Sequence, residues 1–390
     1  MLAACRGLAA AGYRVSTVAG ERFALGHWSR FSKERITLAG PEADPEGYVE
    51  HLSRILRRDE YDLVLPGTEL SLIPISERRD QIEPYARLGL PPHEIVLRAL
   101  DKPVLQSQAA AVGLAPPRSV VCSNAEEALA AAPDLRFPVL VKPASSVTWK
   151  DGRIKQQEAQ VVKDISLLEG AVAAVAEPIT LQEYISGTSM VSCAAVRIDG
   201  RLHGLTLARY VRRFPSQIGR AALATTITPP RPLIRQVEEL LGLIGWSGIF
   251  ELELLELGEN RFGAIDLNPR PFGWMALAIG AGANLPALWC DHVLQRHSIS
   301  SSGARTGVHY RWEDGDFRNA LEQLSLGRLG TAAAVLRPHR RVVHAHFQID
   351  DPMPLAARML SIAQKARRRI ARGGARARTA VPASSLRGRV

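Results

Sequence analysis

The segment from residue 249 to 268 constrains this chain more than any other. Residues 249–257 and 262–268 are two apolar-rich runs of strand length, and Gly258-Glu259-Asn260 between them is a turn signal, so together they read as a hairpin. Side chains alternate along a strand, so residues two apart share a face. Glu251 and Glu253 therefore share one side of the first strand. Asp266, Asn268 and Arg270 share one side of the second, with Ile265 and Leu267 turned to the core. One patch thus receives carboxylates, an amide oxygen and a guanidinium. Oxygen ligands of this kind suit a hard cation such as Mg²⁺, which readily keeps waters and phosphate oxygens in its shell. A neighbouring arginine can pair a phosphate or carboxylate in a two-pronged fork. From these residues alone two readings stand side by side: a Mg²⁺–nucleotide site, or a solvated hairpin face.

The rest of the chain supplies the setting. Residues 2–12 read as a helix, 13–19 as a strand, 46–58 as a helix, 61–66 as a buried strand and 69–80 as a helix. That alternation predicts an α/β unit with parallel strands. A βαβ nucleotide-type unit normally opens with a strand and a glycine-rich turn, and here the chain starts on the helix. The first strand is therefore expected to be missing, with the true start of the coding region upstream of Met1; an in-frame stop just upstream would contradict this. Asp101-Lys102-Pro103 opens a helix, with Asp as cap and Pro in the first turn. Residues 137–143 form a strand with a lysine near its end. Residues 188–211 read as a hairpin about Asp199-Gly200, 232–244 and 316–327 as helices, and 355–370 as an apolar-periodic stretch.

Composition narrows the function classes. The 390 residues carry a formal charge of +10, but nine basic residues and no acidic one lie between Lys365 and the C-terminus. The body is nearly neutral and the basicity is a tail. That tail has no aromatic residue on which bases would stack, so nucleic-acid binding is not the expected role. Four scattered cysteines without a CxxC spacing argue against a disulfide framework or structural zinc and fit a reducing, cytoplasmic setting. Residues 271–290 carry no charge over a span long enough for a bilayer, but Gly280, Gly282, Asn284 and Pro286 read as a break between two short helices of a soluble core. The stretch His339–His344 reads as strand and surface, not as a metal site.

Several motifs in order resemble the ATP-grasp superfamily, in its carbamoyl-phosphate-synthase-like or carboxylate–amine-ligase-like branch. Asp266-Leu267-Asn268-Pro269-Arg270 resembles the E-x-N-P-R signature, and Glu253, 13 residues upstream, matches the first metal carboxylate. Asp101-Lys102 and Val141-Lys142-Pro143 resemble the two nucleotide lysines. Gly113 to Pro117 resembles the strand entry between them, and residues 181–187 resemble the adenine hinge. Arg213-Phe214-Pro215 with Gly219 resembles a loop of that branch. The resemblance covers about residues 1–296. It implies an N-terminal Rossmann-like pre-ATP-grasp domain (1–98), then a two-lobed α+β ATP-grasp fold (99–185 and 186–296), a C-terminal helical extension (297–370) and a basic tail (371–390).

The resemblance also implies roles. ATP is held by Lys102, Lys142, Ser145, Ser146 and the hinge residues Gln182, Glu183 and Ile185. Mg²⁺, with Mn²⁺ able to replace it, is held by Glu253, Asp266 and Asn268. Arg270, joined by Arg213 or Arg212, holds the transferring phosphate. The implied reaction is ADP-forming: a carboxylate is activated as an acyl phosphate and attacked by an amine. Partners are small molecules, with no membrane, and a homodimer is compatible with the family. Three departures stand out. Asp266 replaces the usual Glu, the loop 144–152 holds a single glycine, and an acidic ribose contact is missing near Thr188-Ser189. They give weight to the alternative of a catalytically degenerate nucleotide-binding protein.

Overall fold

The computed structural model describes residues 1–144, 147–150, 153–156, 159–216, 218–296 and 303–364, with backbone alone for 147–150 and 153–156. The first hundred residues run α1 (Leu2–Ala10), β1 (Val15–Ala19), β2 (Ser32–Thr37), α2 (Pro45–Leu56), β3 (Leu63–Val64), α3 (Glu69–Glu77), β4 (Arg87–Leu88) and α4 (His93–Leu100). The expected alternation is present, and both strand pairs, β1 with β2 and β3 with β4, are parallel. The strand expected over 61–66 shrinks to two residues. Asp44 caps α2 through the Gly47 N–H with Pro45 in its first turn, and Val49, Leu52 and Leu56 bury one face of the helix.

A four-stranded sheet of order β5-β10-β6-β9 follows, built from β5 (Ser119–Cys122), β6 (Val139–Pro143), β9 (Gln160–Val162) and β10 (Ile179–Glu183). α6 (Ala125–Ala131) and α7 (Leu168–Ala173) pack on it, β7 (Val147–Lys150) pairs with β8 (Arg153–Gln156) as a separate hairpin, and α5 (Lys102–Ala111), which precedes the sheet, buries Leu105 and Ala109 in a different apolar cluster. As expected, Asp101 caps α5, accepting from the Val104 N–H at 2.9 Å, and Gly113 closes the helix at φ 78°.

The largest sheet has seven strands in the order β15-β14-β11-β12-β13-β16-β17. These are β11 (Met190–Ile198), β12 (Arg201–Phe214), β13 (Arg220–Ile227), β14 (Gly248–Gly258), β15 (Arg261–Asn268), β16 (His309–Arg311) and β17 (Val342–His344). Both expected hairpins form. Asp199 and Gly200 turn the first with φ 48° and 81°, the pairing a tight hairpin turn demands. Between β13 and β14, α8 (Arg231–Ile244) lays Leu233, Val237, Leu240, Leu241 and Ile244 onto one face of the sheet. The charge-free stretch becomes α9 (Met275–Gly280) and α10 (Leu285–Val293), packed on the other face and broken at Gly282, φ 105°. Among the described residues no helix is long and apolar enough to cross a membrane. Cys5, Cys122, Cys193 and Cys290 are free and buried.

The sheet is thus buried on both faces where β11 crosses it. Val191, Cys193 and Ala195 meet α8, while Met190, Ala194 and Val196 meet α9 and α10. The sequence beyond residue 300 adds β16, β17, α11 (Glu313–Ser325), α12 (Leu329–Ala333) and helical backbone over 353–364. The α8 face is one of the scaffold's two large apolar seams. Leu240→Ala there is expected to lower unfolding free energy by about 2–5 kcal/mol, read from urea denaturation, because the cavity left in a two-sided core cannot collapse.

Candidate functional site

The register of β14 against β15 sets Glu251 opposite Asn268 and Glu253 opposite Asp266. Directly opposed residues share a face, so all four side chains stand on one side, as the alternation implied. One detail differs. A bulge between Glu253 and Leu254 leaves Ile265 unpaired. It therefore packs with the α9 and α10 cluster, on the face opposite Leu267.

Glu251 is the most buried of the four. Its Oε1 accepts from Ser192 Oγ at 2.9 Å, from Tyr210 OH at 3.2 Å and from the Trp274 indole N–H, and its Oε2 accepts from Asn268 Nδ2 at 3.3 Å. Burial raises its pKa, and Ser192, Arg270, Trp274 and Tyr210 oppose the rise. Glu253 next to it is pushed well above the usual carboxylate range by poor hydration, then by the charges of Glu251 and Asp266. Three carboxylates crowded in this way repel one another, which a divalent cation would relieve. Glu253 and Asp266 would fit such an ion as oxygen ligands, with the Asn268 side chain on the same face beside them. Asn268 Oδ1 already accepts from Arg270 Nη2 at 2.8 Å. Among the described residues no group of three or more His, Cys, Asp or Glu side chains is arranged as a ready-made metal cage.

The lysines come to this patch from two other elements. Lys142, on β6, is buried and donates to Gln182 Oε1 at 3.0 Å. Its pKa is pushed down to about 8 by burial and then by the positive charge of Lys102, while Asp266 and Glu253 pull it back up. Lys102, the first residue of α5, also acts on Glu253. Lys102, Lys142, Glu253 and Asp266 thus share one electrostatic neighbourhood although 164 positions separate Lys102 from Asp266.

The other expected residues are placed as follows. Gln182 is buried and spends its amide on Lys142 and, at 3.5 Å, on the Pro117 carbonyl. The Glu183 carboxylate accepts from the Arg136 N–H at 3.1 Å, and Ile185 is exposed. Ser145 and Ser146 lie outside the described residues. Arg212 is drawn into an ion pair with Asp316, at 2.5 and 2.8 Å. Arg213 instead lies against Met190 Sδ at 3.6 Å. Met190 is two residues from Ser192, which pairs with Glu253, so Arg213 is on the carboxylate side. Arg270 donates Nε and Nη2 to Glu69 Oε1 at 3.2 and 2.7 Å.

Two residues emerge only from the fold. Glu69, buried at the start of α3, meets Arg270 from 201 positions away, and no local pattern in the sequence announces the meeting. Arg220, at the start of β13, is near enough for its charge to lower the Glu253 pKa. Its position just past the Arg213–Gly219 loop was the available signal.

The chain resembles known proteins in sequence over one stretch and in fold over most of its length. The sequence pattern of the family described as "Carbamoyl-phosphate synthase L chain, ATP binding domain" matches residues 101–197. The carbamoyl phosphate synthase large chain of Thermus thermophilus is 28% identical over 173 residues, 42% of this chain and 16% of that protein's length. In structure, the L-amino acid ligase of Bacillus licheniformis superposes with a TM-score of 0.61 at 15% identity, over 78% of this chain and 75% of that one. Biotin carboxylase of Campylobacter jejuni superposes with a TM-score of 0.60 at 16% identity, over 79% and 71%. Residues 101–197 thus match an ATP-binding domain, and the chain has the ATP-grasp fold. At these identities the structural likeness is one of ATP-grasp fold, and the matched stretch covers only a small part of the synthase.

The crowding of charge has measurable consequences. Replacing Glu253 with Gln removes a like charge from a poorly hydrated trio, so the ligand-free protein is expected to melt at a higher temperature, read by calorimetry. For Lys142 the folded pKa lies below the unfolded value of about 10.5. Between about pH 8 and 10.5 the unfolded chain binds a proton that the folded chain does not, so this group's contribution to stability rises with pH there and its penalty is complete below about 8. The stability gained by Lys142→Met at pH 7 should therefore shrink by pH 10, measured by urea denaturation at both.

Proposed function

We propose that this chain is an ADP-forming ATP-grasp ligase that activates a carboxylate for attack by an amine. The observation that carries the reading is the shared neighbourhood of Lys102, Lys142, Glu253 and Asp266, cations and carboxylates arranged as a polyphosphate with its metal requires. Two fold neighbours named as an L-amino acid ligase and a biotin carboxylase point to the same class of chemistry. On this reading residues 1–98, 99–185, 186–296 and 297–370 are the structural units, with 371–390 a basic tail.

The resemblance supplies the roles. Lys102 and Lys142 hold the phosphates, joined by Ser145 and Ser146. Gln182, Glu183 and Ile185 flank the adenine. Glu253, Asp266 and Asn268 hold Mg²⁺, which when bound would neutralise phosphate charge. The carboxylate oxygen takes the γ-phosphoryl group and ADP leaves. The amine nitrogen then attacks the carbonyl carbon, the bond from that carbon to the phosphate oxygen breaks, and phosphate departs while the nitrogen loses a proton. Arg270, Arg213 and Arg220 stabilise the negative charge of the transferring group. Catalysis of this kind is mostly placement and charge compensation.

ADP release by the purified chain, over a panel of carboxylates crossed with amines, tests the proposal. Turnover with at least one pair, abolished by Lys142→Met and lowered about 100-fold or more by Glu253→Gln, is the expected result. Tight ADP binding without turnover for any pair would favour a nucleotide-binding role without catalysis.

A further inference from the structure

The geometry points to Glu69, on the ligase reading above, as the residue that receives the amine substrate, and receives it as an ammonium cation. Glu69 is 5% exposed, and its two oxygens are treated unequally. Oε1 accepts from both Nε and Nη2 of Arg270, at 3.2 and 2.7 Å. An arginine and a carboxylate commonly meet fork to fork, with one donor to each oxygen. Here Oε2 is left buried with no hydrogen-bond partner among the described residues. The nearest hydroxyls of its own helix are spent on each other: Thr68 Oγ1 accepts from the Ser71 N–H at 3.2 Å, and Ser71 Oγ accepts from the Thr68 N–H at 3.2 Å. A buried carboxylate oxygen without a donor is costly, so a donor belongs there.

The place of Glu69 in the fold is that of a ligand contact. β3 ends at Val64 and runs parallel to β4, and Glu69 follows the loop at the carboxyl end of that strand. Open α/β units bind their ligands outside the carboxyl ends of the strands. The two oxygens share one carbon, so Oε2 stands beside the Arg270 guanidinium as Oε1 does. Arg270 Nη2 also donates to Asn268 Oδ1 at 2.8 Å, and Asn268 shares its face with Glu253 and Asp266. One guanidinium therefore separates the unpaired oxygen from the carboxylate face.

The reacting groups differ in what they can offer this oxygen. The phosphate and the substrate carboxylate are anionic acceptors, which Glu69 repels. An ammonium carries three donors and a positive charge, and of the reacting groups it alone completes Oε2. Arg270 takes the anionic group, so the Glu69–Arg270 pair sets acid and amine side by side. An anion drawn to Arg270 competes for the N–H groups that Glu69 now holds, and the ammonium restores the balance of charge on Glu69. A neutral nucleophile would leave the buried carboxylate uncompensated, so the site selects for amines.

Thermal unfolding of the full chain with Mg²⁺ and a non-hydrolysable ATP analogue, titrated with L-amino acid amides and with the same amides N-acetylated, tests this. The amides carry an ammonium and no carboxylate, and acetylation removes the charge. At least one amide should raise the melting temperature of the wild-type protein, and its acetylated form should not. Glu69→Gln should weaken that amide about ten-fold or more while the ATP analogue binds within about two-fold of wild type. Glu69→Asp, which keeps the charge, should recover part of the loss. No stabilisation by any amide, equal stabilisation by the acetylated forms, or an amide affinity unchanged in Glu69→Gln would overturn the assignment. So would a matching loss of affinity for the ATP analogue, which would mean that Glu69 serves only to hold Arg270. ADP release decides the ligase reading separately. Turnover without amide binding at Glu69 leaves that reading standing and removes this one, and amide binding that needs Glu69, without turnover, does the reverse.

Discussion

The buried carboxylate of Glu251 is the interaction on which the rest of the site depends. Its two oxygens gather donors from β11, β12 and β15 and from Trp274 just before α9. A buried carboxylate is costly unless its hydrogen bonds are made, and here four donors make them. Because Ser192, Tyr210 and Asn268 are fixed by strand register, Glu251 locks the β14–β15 hairpin to the centre of the large sheet. That lock holds Glu253 and Asp266 side by side in spite of their repulsion. The sheet tolerates the strain because both of its faces are packed, and the neighbouring strands cannot slip without turning every side chain over.

A second set of polar contacts joins the N-terminal elements to this centre. Glu69 on α3 reaches Arg270, and Arg270 in turn fixes Asn268. On the far side, the buried Asp351 accepts from Arg6 Nε at 2.9 Å, Ser29 Oγ at 2.7 Å and the Arg30 N–H at 2.9 Å, tying the C-terminal region back to the first thirty residues. Breaking one member of such a buried pair leaves its partner uncompensated, so these contacts set relative position more firmly than exposed ion pairs do.

Much of the architecture was legible in the residues. The hairpin turns at Asp199-Gly200 and Gly258-Glu259-Asn260 demanded unusual backbone angles and found them. The cap at Asp101 and the break near Gly282 fell where local chemistry placed them. The site was legible as far as strand alternation reaches: Glu251, Glu253, Asp266 and Asn268 share a face. Alternation failed at Ile265, because a bulge adds a residue that no pattern of period two can register. Glu69 and the ion pair of Arg212 with Asp316 were not legible, since both bring together residues separated by a hundred positions or more.

The central claim is that nucleotide phosphates and their metal are held between Lys142 and the Glu253–Asp266 pair. Crystals grown with Mn²⁺ and a non-hydrolysable ATP analogue test it directly, because the anomalous signal locates the metal without reference to activity. The account requires the manganese peak within coordinating distance of both Glu253 and Asp266, with phosphate oxygens against Lys142. A nucleotide bound elsewhere on the chain, or a metal peak away from both carboxylates, would contradict it.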